Sequence, residues 1–343
     1  MTDIQKVEIR NLKLDDYFEL YHSMERAYDM WHNHWEEKQI EKLLKVFPEG
    51  QICVLVDGKV VGSALSIIVN YKDFGDNHTY MEITGSETFI THNPDGDVLY
   101  GIDVFLHPDY RGLRLGRRLY EARKELCENL NLKAIVGGGR LPGYSRYAGE
   151  LTPKDYIKKV KLKEIYDPVL TFQLANDFHV KKVLKNYMPG DRESKDYATL
   201  LEWNNIYYDR DEKLINVPKT IVRIGLVQWQ MRLFKDFDAL CEQIEFFVDA
   251  VSDYKSDFAL FPEFFNAPLM AEFNHLSEPE AIRNLAKYTE PLKEKFIEYA
   301  ISYNVNIITG SMPYVEDGKL YNRGYLCRRD GSYEQYQKLH TLL

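Results

Sequence analysis

Cysteine is scarce in this chain: 343 residues hold four, Cys53, Cys127, Cys241 and Cys327, with no CxxC pair. That scatter excludes a disulfide framework and a cysteine zinc site, and it reads as reduced thiols in a cytoplasmic protein. Long apolar runs are absent too. None approaches the roughly 18–20 residues a membrane-spanning helix requires. The opening, MTDIQKVEIR, lacks the apolar core of a signal peptide. Positive charge is in deficit, with a net charge of −9. A general nucleic-acid binder carries a basic face, so any phosphate-bearing ligand must be met by a local device. No internal repeat or low-complexity segment is present.

What is present suits a globular protein, 45% hydrophobic and 28% charged, and the length suits two domains. Lys6–Asn11 reads as a strand, and Asp15–Met30 and Glu36–Phe47 as helices. Residues 51–70 read as a hairpin about Asp57-Gly58, a strong two-residue turn signal. Tyr71–Asp97 is a long polar loop, the kind of length that usually serves function, and it is expected to shape a substrate pocket. Thr152-Pro153 and Asp167-Pro168 each place a capping side chain ahead of a proline at the first helical position. Strands are expected near Phe178–Tyr187 and Ala198–Trp203. Residues 206–219 read as a charged linker between a domain over 1–205 and another over 220–343. Past it, IVRIGLVQW reads as a buried strand, Asp236–Ser252 as a helix, Phe258–Phe261 as a second buried strand, Pro291–Tyr303 as a helix and Val305–Thr309 as a strand. Tyr321–Arg328 and Ser332–Gln337 read as a hairpin about Asp330-Gly331. Alternating strands and helices imply α/β layers.

The stretch Val98–Leu126, VLYGIDVFLHPDYRGLRLGRRLYEARKEL, runs from an apolar strand through His-Pro and a basic glycine turn into an amphipathic helix. Such a junction aims backbone N–H groups and the helix dipole at an anion. Arg111, Arg114, Arg117 and Arg118 add positive charge there. The pattern points to a nucleotide-like pyrophosphate.

The order strand, helices, hairpin, strand, basic turn, helix, strand, together with HPDYRG and the six residues Arg111, Gly112, Leu113, Arg114, Leu115 and Gly116, resembles the GNAT family of acyl-CoA-dependent N-acyltransferases over about residues 1–205. Arg114 stands where the family usually has glycine, and a side chain is tolerated there if φ stays negative. The resemblance implies an α+β fold and acetyl-CoA as co-substrate. It implies no metal and an amine acceptor, small molecule or peptide. It places the pyrophosphate on residues 111–116 with Arg117, and the thioester and pantetheine arm on the backbone of Val104, Phe105 and Leu106. Asp103 or Glu82 could take the amine proton. The family's usual tyrosine acid is absent, because its position is Gln173; Tyr144, Tyr147, Tyr166 or water could serve instead. No nucleic-acid or membrane partner is implied, and a homo-oligomer is open.

DFALFPEFF places Glu263 just after a strand, and YQKLH places Lys338 at the end of another. With IGLVQW and LYNRGYLCRRDG these resemble the front half of a carbon–nitrogen hydrolase (nitrilase superfamily) domain. That implies a partial α-β-β-α sandwich with Glu263 as general base and Lys338 as oxyanion stabiliser. The family's nucleophilic cysteine lies tens of residues beyond the lysine, where this sequence has only residues 339–343. The expectation is an N-acetyltransferase with an inert hydrolase remnant. The alternatives are an amidase in a longer parent, or an acyl-CoA-binding module without catalysis.

Overall fold

The computed structural model describes residues 6–28, 34–209 and 222–338. The chain divides into two compact units, one made of residues 9–55 and 59–218 and the other mainly of residues 219 onward. Most of the proposed linker, residues 210–219, lies outside the described residues, as does the tail 339–343.

The first unit is a seven-stranded mixed sheet. Its elements are β1 (Val7–Asn11), α1 (Tyr17–Ala27), α2 (Glu37–Val46), β2 (Gln51–Val56), β3 (Lys59–Val69), α3 (Tyr80–Ile83), β4 (Val98–Leu106), α4 (Leu115–Asn129), β5 (Ala134–Arg140), α5 (Pro153–Lys161), α6 (Pro168–Ala175), β6 (His179–Lys185) and β7 (Tyr197–Asn204). The sheet order is β1-β2-β3-β4-β5-β7-β6. Local chemistry sets many boundaries. Asp57 and Gly58, both at positive φ, turn β2 into β3. Thr152 caps α5 through the Asp155 amide, and Asp167 caps α6 through Val169 and Leu170. Two apolar clusters cover the two faces. One gathers Leu20, Met24, Ile40, Tyr100, Phe105 and Tyr187, the other Leu99, Tyr120, Ile135, Leu170 and Phe178. Burial at about 25 cal/mol per Å² of apolar surface drives both.

The loop 71–97 is more ordered than its polarity suggests. It forms short 3-10 turns and α3, with Ile83 and Phe89 fully buried. These two apolar residues anchor it to the first cluster.

The second unit holds β8 (Ile224–Leu226), α7 (Phe237–Asp253), β9 (Phe258–Leu260), α8 (Glu278–Leu285), α9 (Thr289–Tyr303), β10 (Asn306–Glu316), β11 (Lys319–Cys327) and β12 (Tyr333–Gln337). Its sheet runs β12-β11-β10-β9-β8, parallel through β8, β9 and β10 and antiparallel through β10, β11 and β12. Both units are mixed α/β, as expected. The expected buried strand IVRIGLVQW is corrected. Among the described residues only 224–226 are strand, at the sheet edge, with Ile224 58% and Leu226 73% exposed. An edge strand has one neighbour, and apolar sequence alone does not reveal that. The strand expected to end at Thr309 continues to Glu316 and turns at Asp317-Gly318, both at positive φ.

Candidate functional site

Strands β4 and β5 are parallel, but they pair only from Val98–Gly101 against Ala134–Gly137. Beyond that point β4 runs on to Leu106 and β5 to Arg140 without pairing to each other, β5 remaining paired with β7. Val104, Phe105 and Leu106 are held on one side by β3, through Ala64, Ser63 and Gly62, and face this fork on the other. At the fork β4 carries a bulge: Leu65 opposes Asp103 while Ser66 opposes Gly101. Bulges re-aim side chains and free backbone groups. Arg123, from α4, reaches in and donates to the carbonyls of Leu65 (3.0 Å) and Asp103 (2.7 Å).

The turn into α4 follows. Gly112 has φ +101° with open space around its Cα. Arg114 has φ +52°, so the expected negative φ is overturned. The left-handed geometry explains why glycine is the easier residue there; for arginine it costs roughly 1–2 kcal/mol. The N-cap residue Arg114 makes no side-chain cap to α4, and no acidic residue lies in its first turn, a helix start that suits an anion. Gly116 packs under Phe172, whose ring lies 2.8 Å from where a Cβ would be. The four arginines divide. Arg111 and Arg114 are exposed, Arg117 pairs with Glu121 at 3.0 Å, and Arg118 is buried.

Asp103 sits on the face of the sheet that carries α1 and α2. Its two oxygens accept from the Tyr28 hydroxyl (2.7 Å) and from Trp35 Nε1 (2.8 Å). Burial raises its pKa, and the hydrogen bonds from Trp35 and Tyr28 oppose the rise only in part. Neither partner was evident in sequence, being 75 and 68 residues away. Glu82, the other candidate, is occupied. Its carboxylate accepts from the amide (2.7 Å) and hydroxyl (3.0 Å) of Thr79 and caps α3. Tyr80, from the loop 71–97, shares the electrostatic surroundings of Asp103.

Gln173 lies on α6 against Gly139 of β5, its Oε1 buried without a partner. Burial raises the pKa of Tyr120, whose ring packs against Phe172 of α6, with the charge of Arg123 and then Gln173 opposing the rise. Tyr144 spends its hydroxyl on the Leu151 carbonyl (3.0 Å), Tyr147 packs on Tyr156, and Tyr166 is 73% exposed.

In the second unit the structure joins the residues singled out. Lys338 Nζ lies 2.8 and 2.7 Å from the two Glu263 oxygens, and Asn322 Nδ2 donates to Oε1 at 2.6 Å. The Lys338 contact, then Asn322, holds the Glu263 pKa below its ordinary value. Gly310, at φ +68°, is required where its Cα backs onto the Pro262 carbonyl. Cys327 pairs with Tyr333, at the opposite end of the β11–β12 ladder from Lys338. Burial pushes its thiol up to about 12 and that of Cys241 to about 11, so neither is a thiolate at neutral pH.

Comparisons with known proteins agree with this division. The Acetyltransferase (GNAT) family profile matches residues 8–138, and the Carbon-nitrogen hydrolase profile matches residues 223–342. Probable hydrolase YhcX of Bacillus subtilis is 44% identical over 307 residues, covering 89% of this chain and 60% of the relative. This chain thus spans little more than half of that relative's length. The uncharacterized N-acetyltransferase YkwB of the same organism is 35% identical over 176 residues, covering 51% of this chain and 77% of the relative. Among solved structures, the loading GNATL domain of CurA from Lyngbya majuscula superposes with a TM-score of 0.51 at 22% identity, covering 58% of this chain and 97% of that one. It shares the fold. No helix among the described residues is long and apolar enough to cross a membrane.

Proposed function

We propose, from the premise that this chain belongs to the GNAT acetyltransferase family and carries a carbon–nitrogen hydrolase domain behind it, that it transfers an acetyl group from acetyl-CoA to an amine in the cytoplasm. The observation that carries the reading is the fork between β4 and β5 beside an uncapped helix N-terminus. The pyrophosphate sits on residues 111–116, and the pantetheine arm enters the fork along Val104–Leu106. The acceptor amine arrives on the opposite face, near Asp103, Tyr28 and Tyr80. Asp103 takes the amine proton, the free amine attacks the thioester carbonyl, and the tetrahedral intermediate expels the CoA thiolate. Tyr120 protonates that sulfur. No step needs a metal. The fork holds the reactants together, and proximity supplies much of the acceleration.

Transfer of label from acetyl-CoA to a panel of peptides, polyamines and small amines tests the reading; acetyl-CoA binding with no acceptor labelled supports the non-catalytic module instead. Arg111→Ala removes a charge-assisted phosphate contact and is expected to weaken CoA binding by about 1.5–3 kcal/mol. Gly116→Val drives a branched side chain into Phe172 and weakens it further. Unchanged CoA affinity by calorimetry in both variants would remove the site from this turn.

A second reading, amide hydrolysis, is favoured by the Glu263–Lys338–Asn322 geometry. With no thiolate available to that pair, the 343-residue chain is expected to turn over no simple amide. Turnover that vanishes in Glu263→Gln would reveal an unrecognised nucleophile.

A further inference from the structure

The bulge in β4 is held by a charge that has no counter-ion. Arg123 is 4% exposed. Among the described residues its hydrogen bonds both leave from Nη2, to the carbonyls of Leu65 and Asp103, and it forms no ion pair; its Nε is buried without a partner. Nη1 lies against Gly101, where a Cβ would come within 2.9 Å of it. Gly101 is the last β4 residue paired with β5, so the guanidinium lies beside the point where the two strands part. Pinning two carbonyls needs only a neutral donor. A buried charge without a partner is costly, and a guanidinium does not shed its proton to escape that cost. The charge therefore calls for a function of its own.

The β3–β4 register shows what lies behind one of those carbonyls. In an antiparallel pair, residues that exchange backbone hydrogen bonds alternate with residues that do not. The His107 amide donates to the Val61 carbonyl at 2.8 Å, and the register is unbroken from Gly62–Leu106 to Leu65–Asp103. Asp103, Phe105 and His107 therefore turn their N–H and C=O groups toward β3. Val104 and Leu106 turn theirs the other way, to the side that β5 has left. A peptide unit joins one residue's carbonyl to the next residue's N–H. The unit between Asp103 and Val104 thus carries Arg123 on its oxygen and presents its hydrogen to the fork. A cation on the oxygen draws electron density through the resonant amide and makes that N–H a stronger donor. The Asp103 carboxyl feels this N–H as well, yet its two oxygens are bound by Tyr28 and Trp35.

We propose that Arg123 is a positioning residue of acyl transfer: its buried, unpaired charge polarises the Asp103–Val104 peptide, so that the Val104 N–H binds the thioester oxygen and the negative charge that oxygen gains when the amine attacks. The inference rests on the acetyl-CoA reading above, and it selects Val104 among the three backbone positions that reading invokes. Leu106 shares the orientation, but the carbonyl behind it, that of Phe105, is not one that Arg123 holds. A fixed dipole aimed where charge develops favours the transition state over the bound substrate, so the effect belongs in kcat. Arg123 also lies 5.8 Å from the centroid of the Tyr120 ring and acts on Asp103 through its charge. The peptide route is told from these two by the thioester carbonyl itself, which only the peptide route polarises.

The test uses the full chain with acetyl-CoA isotopically labelled at the acetyl carbonyl. Arg123→Gln is expected to lower kcat about 30-fold, short of the roughly 100-fold or more that deleting an oxyanion donor costs, and to leave KM for acetyl-CoA near wild type. The loss persists on the plateau above the acid limb of the pH profile. Arg123→Lys, which keeps the charge, recovers most of it. In infrared spectra the bound acetyl carbonyl stretches at higher frequency in Arg123→Gln than in wild type, because a weaker donor polarises the C=O less. Should Arg123→Gln fail to fold, Gly101→Ala, whose methyl displaces Nη1, gives smaller changes of the same sign in both readouts. An unshifted carbonyl overturns the inference whatever happens to kcat, and so does a loss confined to the acid limb; acetyl-CoA binding to the wild type then leaves the acyl-CoA reading standing. A wild type that binds no acetyl-CoA overturns that reading and the positioning role together.

Discussion

Asp103→Asn is expected to lower kcat for acetyl transfer about 100-fold or more, the typical worth of a positioned general base. KM for acetyl-CoA should hardly move, because the side chain lies on the face proposed for the acceptor and not along the β4 edge proposed for the pantetheine arm. The amide keeps the shape and can still accept a hydrogen bond from Tyr28 or Trp35, so a collapsed pocket is not the expected cause of the loss. The pH profile carries the sign. Asp103 works as a base only when ionised, so activity falls as pH falls through its pKa. Burial has raised that pKa, and the acid limb should therefore lie above the ordinary aspartate range near 4. It should disappear in Asp103→Asn. Retention of kcat within threefold with an unaltered acid limb would transfer the base role elsewhere, and Glu82, already spent on capping α3, would be a poor heir.

The second large effect is on stability. Arg140, at the end of β5, donates to both oxygens of Asp191, at 2.6 and 2.8 Å, and to Glu193 at 3.0 Å. The Asp191 side chain is 2% exposed, that of Arg140 25%. Removing one partner of a buried pair strands the other charge, at a cost of roughly 3–5 kcal/mol. Asp191 keeps a hydrogen bond from the Ser194 amide, so Arg140→Met is expected near the lower end, about 3 kcal/mol, measured by urea unfolding of the full chain. The pH dependence follows from Asp191. Burial alone would raise its pKa, but the Arg140 contact and then Ser194 outweigh burial and hold it below the ordinary value. A carboxyl lowered in the folded state stabilises above the unfolded pKa, and the contribution drains away as pH falls through the lowered one. Arg140→Met should therefore differ most from wild type at neutral pH and least in acid. A destabilisation below 1 kcal/mol at pH 7 would show that water screens the pair.

Several features were legible because they are local. Asp57-Gly58 turns one hairpin, Thr152 and Asp167 cap α5 and α6, Asp236 caps α7 through the Ala239 amide, and the basic turn at 111–116 opens α4. Each is decided by dihedral preference or by a hydrogen bond over two or three residues, and short-range energies can be read from residue order. Glu263 and Lys338, 75 residues apart, were also paired in advance, through family resemblance and not through any local rule.

What tertiary structure alone decided was the environment of each group. Tyr28 and Trp35 converge on Asp103, Arg123 fills the β4 bulge, and Tyr187 rests on Gly138 at the mouth of the fork. The left-handed Arg114, the burial of Arg118 and the exposed edge strand β8 belong to the same class. These outcomes depend on which side chain loses water beside which partner, across tens of residues. Desolvation has no signature in the order of the residues. The sequence by itself determined two α/β units, a basic glycine turn ahead of a helix and a candidate base; only the packed sheet decided that Asp103 is shielded and that β4 and β5 part.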